Sequence, residues 1–550
     1  MVSRKHMIVM RNALWVAAIG VAGALGQHAS AADHDRKFYP DDPIWREPAP
    51  RSVSGVATRD VDHLYDFLDS SYVTPRREGK LEKRTPQAAR DVNTLGEMPD
   101  SPWYTNRHAL HPMSIADLQR GPGNSTPPDP NHGWRITAAK SNGITPGFII
   151  EDGRKNRYVL KFDPPQYPEL CSAADVIGSK LFYALGYNTP ENYVVHFRRE
   201  QLEINEGITY RRPSGKKIPL TAQIVDELLQ TQPKSADGTY RALASRWIDG
   251  KVVGPFNYRG TRSDDPNDTI PHEDRRVLRG LAVFAAWVNH HDTSQINTMD
   301  TLVTEEGRQY LKHYLIDFGS ILGSRGDRPK PPWVGHQYTI AHKETLARAA
   351  TLGFYVPRWQ RSNYPNLKGV GVFDAWSFEP LKWRPEVPNP AFMMMDRADA
   401  FWAAKQVAAF TDSEIRALVE TGEYSDPKAA EWIAECLIQR RDKIATAWFS
   451  QVLPLDRFHI VDGQLTFEDL GALRGYGQDR EYSIHWESHD GSGRAIPIQN
   501  AAGARVPAFR DDAQYLTATI EPAPNQPGCT PVTVYVRRGR TGAEVVGIDR

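Results

Sequence analysis

The chain has 550 residues and carries 67 basic and 67 acidic side chains. That balance argues against a nucleic-acid partner, which leaves a basic excess, and the length predicts two or three domains. Hydrophobic residues make up 40% of the chain and tryptophans number 14, so a globular protein with a real core is expected.

At the N-terminus, Arg4, Lys5 and Arg11 flank the apolar run ALWVAAIGVAGALG (13–26). That run is too short to span a bilayer, which takes about 20 residues. Ala29-Ser30-Ala31 then fits a cleavage site of small residues. Residues 1–31 therefore read as a secretory signal peptide, with a periplasmic or extracellular destination. A membrane anchor is the rival reading, and no other run approaches transmembrane length, so an integral membrane protein is not expected. Cys171, Cys436 and Cys529 allow at most one disulfide, and no CxxC pair offers a structural zinc site.

Residues 32–133 are rich in Pro, Arg and Asp with weak periodicity. They predict a loop-rich segment wrapped on the next domain, ending in the linker-like GPGNSTPPDPNHG (121–133). FIIED (148–152) and RYVLKFD (157–163) predict a hairpin, with Tyr158, Leu160 and Phe162 on one face and Val159 and Lys161 on the other. Helices are expected over 171–186, near 221–230 and over 273–289, where Val277, Leu281, Phe284 and Val288 form one stripe. TLVTEEGRQYLKHYLIDFG (301–319) predicts two strands around an EEGR turn. A long loop rich in Pro and Trp runs to about 390, followed by helices at 396–410, 413–422 and 427–450. From about 455, alternating runs such as YLTATIEP (515–522) and PVTVYVRRG (531–539) predict a small all-β domain.

The most polar-dense short run is WVNHHDTSQINTMD (287–300), which leaves an apolar helix directly. HHDTSQIN fits H-x-D-x-x-x-x-N with His290, Asp292 and Asn297, IDFG (316–319) supplies D-F-G, and YVLK (158–161) puts Lys161 on a strand before a helix bearing Asp175. This ordered set resembles the protein-kinase-like superfamily over about residues 134–450, in an atypical form similar to HipA-type toxin kinases, phosphatidylinositol kinases and secretory-pathway kinases.

The resemblance implies an α+β, two-lobed protein-kinase-like fold. Its N-lobe would be 134–260 and its mostly helical C-lobe 261–454, with 32–133 as N-terminal wrapping segment and 455–550 as a small β-sandwich-like accessory domain. It implies an exported phosphotransferase dependent on ATP and Mg2+, in which positioning and charge neutralisation do the chemistry. Asp317 would hold a magnesium ion, and Asn297 a second ion or the same one from the other side. Asp292 would accept or orient the proton of the attacking hydroxyl. Lys161 would contact the phosphates, steadied by Asp175 or, as second choice, Glu169. AAKSNGITPG (138–147) would turn over the phosphates, with Ser141, Asn142 and Gly143 against the nucleotide. The chain departs from the protein-kinase pattern in lacking G-x-G-x-x-G and A-P-E, in a long gap from Asn297 to Asp317, and in a short lysine-to-acid spacing.

Plainer readings stand beside these. His290 is expected to be architectural and His291 to be simply exposed, while Lys161 alone could be a solvent-facing strand lysine and Asp175 a surface residue of its helix. Arg325-Gly326-Asp327 matches a cell-adhesion tripeptide by chance. Two rival functions remain. One is an exported pseudokinase or binding module. The other is a metal-dependent phosphohydrolase built on the His291-Asp292 dyad with His272 and His313. The phosphate acceptor is left open among protein, sugar, lipid headgroup and small molecule.

Overall fold

Alternating buried and half-buried side chains between residues 134 and 161 build the first sheet. The computed structural model describes residues 49–76, 87–123, 126–140, 146–212, 216–352, 354–476, 480–489, 495–511, 513–522, 530–540 and 542–550. The expected leader at 1–31, the Ser141-Asn142-Gly143 turn and Cys529 lie outside the described residues.

The strands run β1 (Trp134–Ala139), β2 (Gly147–Glu151), β3 (Arg157–Lys161), β4 (Asn192–Phe197), β5 (Leu202–Ile204), β6 (Thr209–Arg211), β7 (Lys217–Pro219) and β8 (Tyr240–Arg246). Six of them form a sheet in the order β4-β8-β3-β2-β1-β5, antiparallel except for the β1/β5 pair. One face carries Trp134, Ile136, Phe148, Ile150, Tyr158 and Leu160 and is covered by Ile224, Val225 and Leu229 of the helix Ala222–Gln230. Lys161 turns to the other face, toward the helix Leu170–Ala184.

That helix is buried on nearly every side. It stops before Gly186, whose φ of +107° suits glycine and where a Cβ would strike the Tyr104 ring at 2.1 Å. The preceding segment is therefore seated on the helix end, and Thr105 N donates to Gly186 O at 2.9 Å. Its neighbour Trp103 stacks on His313 with 3.5 Å between ring centroids.

A second sheet has the order β11-β10-β9, from β9 (Lys251–Gly254), β10 (Thr298–Glu305) and β11 (Arg308–Leu315). Glu305 faces Arg308 across a two-residue turn, and both Glu306 and Gly307 have positive φ, as a hairpin of this length requires. The helices Arg276–Val288, Arg397–Ala408, Asp412–Glu420 and Pro427–Phe449 share the largest core. Reciprocal caps start two of them, Asp396 with Asp399 and Thr411 with Glu414. Inside this core, Asp399 accepts from Arg276 Nε at 2.9 Å and Arg279 Nη1 at 3.3 Å, all three side chains being buried.

The stretch expected to be loop from 320 to 390 contains the helix His342–Ala350, whose HKETLARAA sequence is rich in good helix formers. Residues 63–73, expected to be loop, form the helix His63–Leu68 continued by a π-turn. At the C-terminus, the hairpin β12 (Leu455–Val461) and β13 (Gln464–Asp469) precedes a short helix, Leu470–Leu473. The five strands that follow, β14 (Tyr482–His489), β15 (Ala495–Ala502), β16 (Tyr515–Pro522), β17 (Val532–Arg538) and β18 (Ala543–Asp549), form a sheet in the order β15-β14-β16-β17-β18. Leu455, Phe458, Ile484, Trp486 and Leu516 share its core. Among the described residues no helix is long and apolar enough to cross a membrane.

Asp399 faces two buried guanidinium groups, and removing it takes the carboxylate from Arg276 while Arg279 keeps Asp274 at 3.0 Å. Asp399→Ala is expected to cost about 3–5 kcal/mol, read as a lower urea midpoint at unchanged slope.

Candidate active site

Lys161 ends β3, and two residues later Asp163 anchors the next helix. Asp163 Oδ1 accepts from the backbone N–H groups of Cys171 (2.9 Å) and Ser172 (2.8 Å), and its Oδ2 from Ser172 Oγ (2.6 Å). These bonds satisfy orphan donors of the first turn. They also fix how far along the helix Asp175 stands from Lys161, so the short lysine-to-acid spacing closes.

Lys161 Nζ lies 3.0 Å from Asp175 Oδ2 and 2.8 Å from Asp317 Oδ1. Asp175 is 1% exposed, Lys161 14% and Asp317 53%. Asp175 is thus buried rather than on the surface, and its Oδ1 also accepts from Asn192 Nδ2 and Phe318 N, each at 3.0 Å. Glu169, the second choice, accepts instead from Ser425 N at 3.0 Å. Burial alone would lower the Lys161 pKa, but Asp175 and Asp317 outweigh it and hold it up. Lys161 in turn holds the Asp317 carboxyl below its ordinary range. Burial pushes Asp175 up, against the pull of Lys161.

The D-F-G turn is shaped by contact. Asp317 takes a left-handed backbone with φ of +59°, and Phe318 stacks on Phe182 at 4.9 Å. A Cβ on Gly319 would meet Cys171 Sγ at 2.6 Å, and one on Gly178 would meet Phe318 Cβ at 2.5 Å. Helix and turn approach each other through two glycines.

The 290–297 loop is joined to this turn by Ile316 N, which donates to Asn297 O at 3.0 Å. Asn297 Nδ2 donates to Asp292 O at 2.7 Å, and Ser294 Oγ to Asp292 Oδ1 at 2.9 Å. Burial raises the Asp292 pKa, the hydroxyl and amide oppose it, and the charge on Asp317 adds to the rise. His290 is buried beside Phe182 and Phe318, and burial, with Lys330 adding, pushes its pKa down to about 3. His291, expected to be exposed, is 4% exposed, because its chain neighbours run through the core, and it faces Glu386 at 3.8 Å.

The structure thus brings Lys161, Asp175 and Asp317 into contact and ties the loop of Asp292 and Asn297 to the same turn. Three residues were missed in the sequence. Burial and the charge of Lys161 push down the pKa of Lys140, which follows β1, while the nearby Asp317 and Asp175 oppose the fall. Its place inside AAKSNGITPG (138–147), the run expected to cover the phosphates, was the available signal. Buried Lys330 donates to Asn289 O beneath the loop. Gln295 donates to Asp66 of the His63–Leu68 helix, which sets that helix against the loop. For those last two contacts the sequence carried no signal.

The rival metal set does not assemble. His272 bonds Asp268 at 2.8 Å and His313 bonds Asp300 at 2.7 Å. Among the described residues no group of three or more His, Cys, Asp or Glu side chains could hold a metal ion.

No family model matches the chain, and no curated protein matches it. Among solved structures, a Golgi casein kinase with Mn/ADP bound is similar at 12% identity and a TM-score of 0.29, over 74% of this chain and 94% of that one. A second structure of the Golgi casein kinase gives 12% and 0.27, over 74% and 96%. A hydra Fam20 structure with sugar gives 10% and 0.28, over 61% and 95%. At such scores the overlap carries no chemistry, which rests on the side chains themselves.

The buried neutral histidines make an acid liability. Below pH 6.5 the unfolded chain binds the proton that folded His290 refuses, so this stability is fully present above pH 6.5 and falls toward pH 3. His290 alone is expected to remove about 2 kcal/mol between pH 7.5 and pH 5. Urea unfolding of wild type and His290→Gln at both pH values checks this, and equal losses in the two proteins would refute it.

Proposed function

We propose that the chain is an atypical kinase-type phosphotransferase that uses ATP and magnesium. The observation that carries the reading is one ammonium, Lys161, held by buried Asp175 and reaching half-exposed Asp317, with Asp292 and Asn297 tied to the same turn. In this reading the six-stranded sheet and the helical body are the two lobes, 134–260 and 261–454. Residues 32–133 are the wrap, 455–550 an accessory β domain and 1–31 a cleaved leader for export.

The donor set fits the ion. Asp317 and Asn297 offer hard oxygens, and magnesium keeps waters and phosphate oxygens rather than taking an all-protein cage. When bound, the ion neutralises phosphate charge. Asp317 and Asn297 would hold it, while Lys161, steadied by Asp175, would donate to phosphate oxygens, with Lys140 as a second cation. The Asp292 carboxylate would orient the acceptor hydroxyl and take its proton, and its raised pKa makes it the better base. Beside that loop a cavity of about 110 Å³, lined in part by Tyr65, Asp66, Tyr258 and Thr293, would receive the acceptor.

A pseudokinase is the second reading, favoured by one contact: the lysine pairs directly with the carboxylate expected to bind metal, at 2.8 Å. The hydrolase reading finds no group of three or more candidate metal ligands among the described residues.

Wild type is expected to show a rise in melting temperature with ATP and magnesium together, and Asp317→Ala to lose it. Asp292→Asn should keep the thermal shift but lose turnover by about 10²–10⁴-fold. A wild-type shift without ATP consumption would select the pseudokinase, and no shift at all would sink both. Because Asp292 must be ionised, the acid limb of turnover should lie above the ordinary aspartate range, lost as pH falls through the raised pKa.

A further inference from the structure

The helix His342–Ala350 and the chain beyond it expose Leu346, Leu352, Phe354, Tyr355 and Val356, with Leu352 at 87% and Phe354 at 88%. Soluble chains seldom group such side chains without a partner. The chain folds back at the helix end, where Phe354 N donates to Thr351 O at 2.9 Å and Tyr355 N to Thr351 Oγ1 at 3.2 Å. Leu352, Phe354 and Tyr355 therefore share one exposed turn, the tip of this segment.

The flank of this tip is basic. The Arg348 guanidinium lies 5.4 Å from the centre of the Trp359 ring, tying the helix to the turn Arg358–Arg361. Arg358 lies 4.6 Å over Trp376, itself 51% exposed, and pairs with Glu379 at 3.8 Å, while the exposed basic side chains of Arg361 and Lys368 widen the rim. A second exposed apolar strip, Leu64, Tyr65 and Leu68, carries Asp62, Asp66 and Asp69 instead. The two strips are alike in apolarity and opposite in charge.

We propose that residues 342–352 and 354–361, with Trp376, form a peripheral docking face for an anionic lipid bilayer. Aliphatic and aromatic side chains at a tip, with arginines at its rim, suit the boundary between acyl chains and anionic headgroups. Arginine stems can lie along apolar surface while their heads stay at the charged level. A second copy of the chain fits worse, because a two-fold contact would set the basic rim against itself. The inference stands apart from the phosphotransferase reading.

Co-sedimentation of the full chain with phosphatidylcholine vesicles, with and without phosphatidylglycerol, tests it. Leu352→Ser/Phe354→Ser is expected to lower partition to the anionic vesicles by about tenfold or more, and Arg358→Gln/Arg361→Gln by roughly tenfold. All these positions are exposed, so urea midpoints should not move. An environment-sensitive fluorophore on Phe354→Cys, in a Cys529→Ser background, reports the tip separately from any contribution of the apolar run 13–26. Its emission should shift to the blue with anionic vesicles only. An unshifted fluorophore, equal response to neutral vesicles, or a dimer in solution that Leu352→Ser dissociates would each overturn the proposal.

Discussion

The ion pair between Lys161 and Asp175 is the constraint on which the rest of the site depends. A strand lysine has four rotatable bonds and strong hydration, so it holds a position only if something buried holds it. Asp175 does so because it is itself fixed from three sides by Lys161, Asn192 and the Phe318 amide. A buried carboxylate of this kind is costly unless its hydrogen bonds are satisfied. Removing any one donor would therefore be felt at the other two.

The same contact couples three parts of the chain. Asp163 sets the phase of the helix, Gly178 and Gly319 let the D-F-G turn come within contact of it, and Phe318 delivers both an amide to Asp175 and a ring to Phe182. The floor beneath is kept neutral, since His290 and His291 are too buried to protonate near pH 7. Asp317, half exposed, is the member of the cluster that faces outward.

Much of the local structure was legible in the sequence. The 148–163 hairpin, the EEGR turn and the helices near 171–186, 273–289 and 427–450 follow from period, turn chemistry and caps, all of which are local. The helices at 63–68 and 342–350 were not legible. The first buries none of its residues, and the second lies inside a stretch dominated by proline and tryptophan. Lys330 escaped for another reason. A lysine in a loop carries no mark of the carboxylates that the fold will place near it.

The order of the chain by itself determined which residue types were on offer: a lysine at a strand end, an acid on the next helix, H-x-D-x-x-x-x-N, then D-F-G. Strand alternation also determined that Lys161 opposes the buried face of Tyr158 and Leu160. Only the tertiary structure decided that Asp175 and not Glu169 meets the lysine, that His291 is buried, and that His272 and His313 belong to other carboxylates. The reason for the lysine's choice is range. Periodicity and caps act over a few residues, whereas Lys161 meets Asp175 across 14 positions of chain and Asp317 across 156.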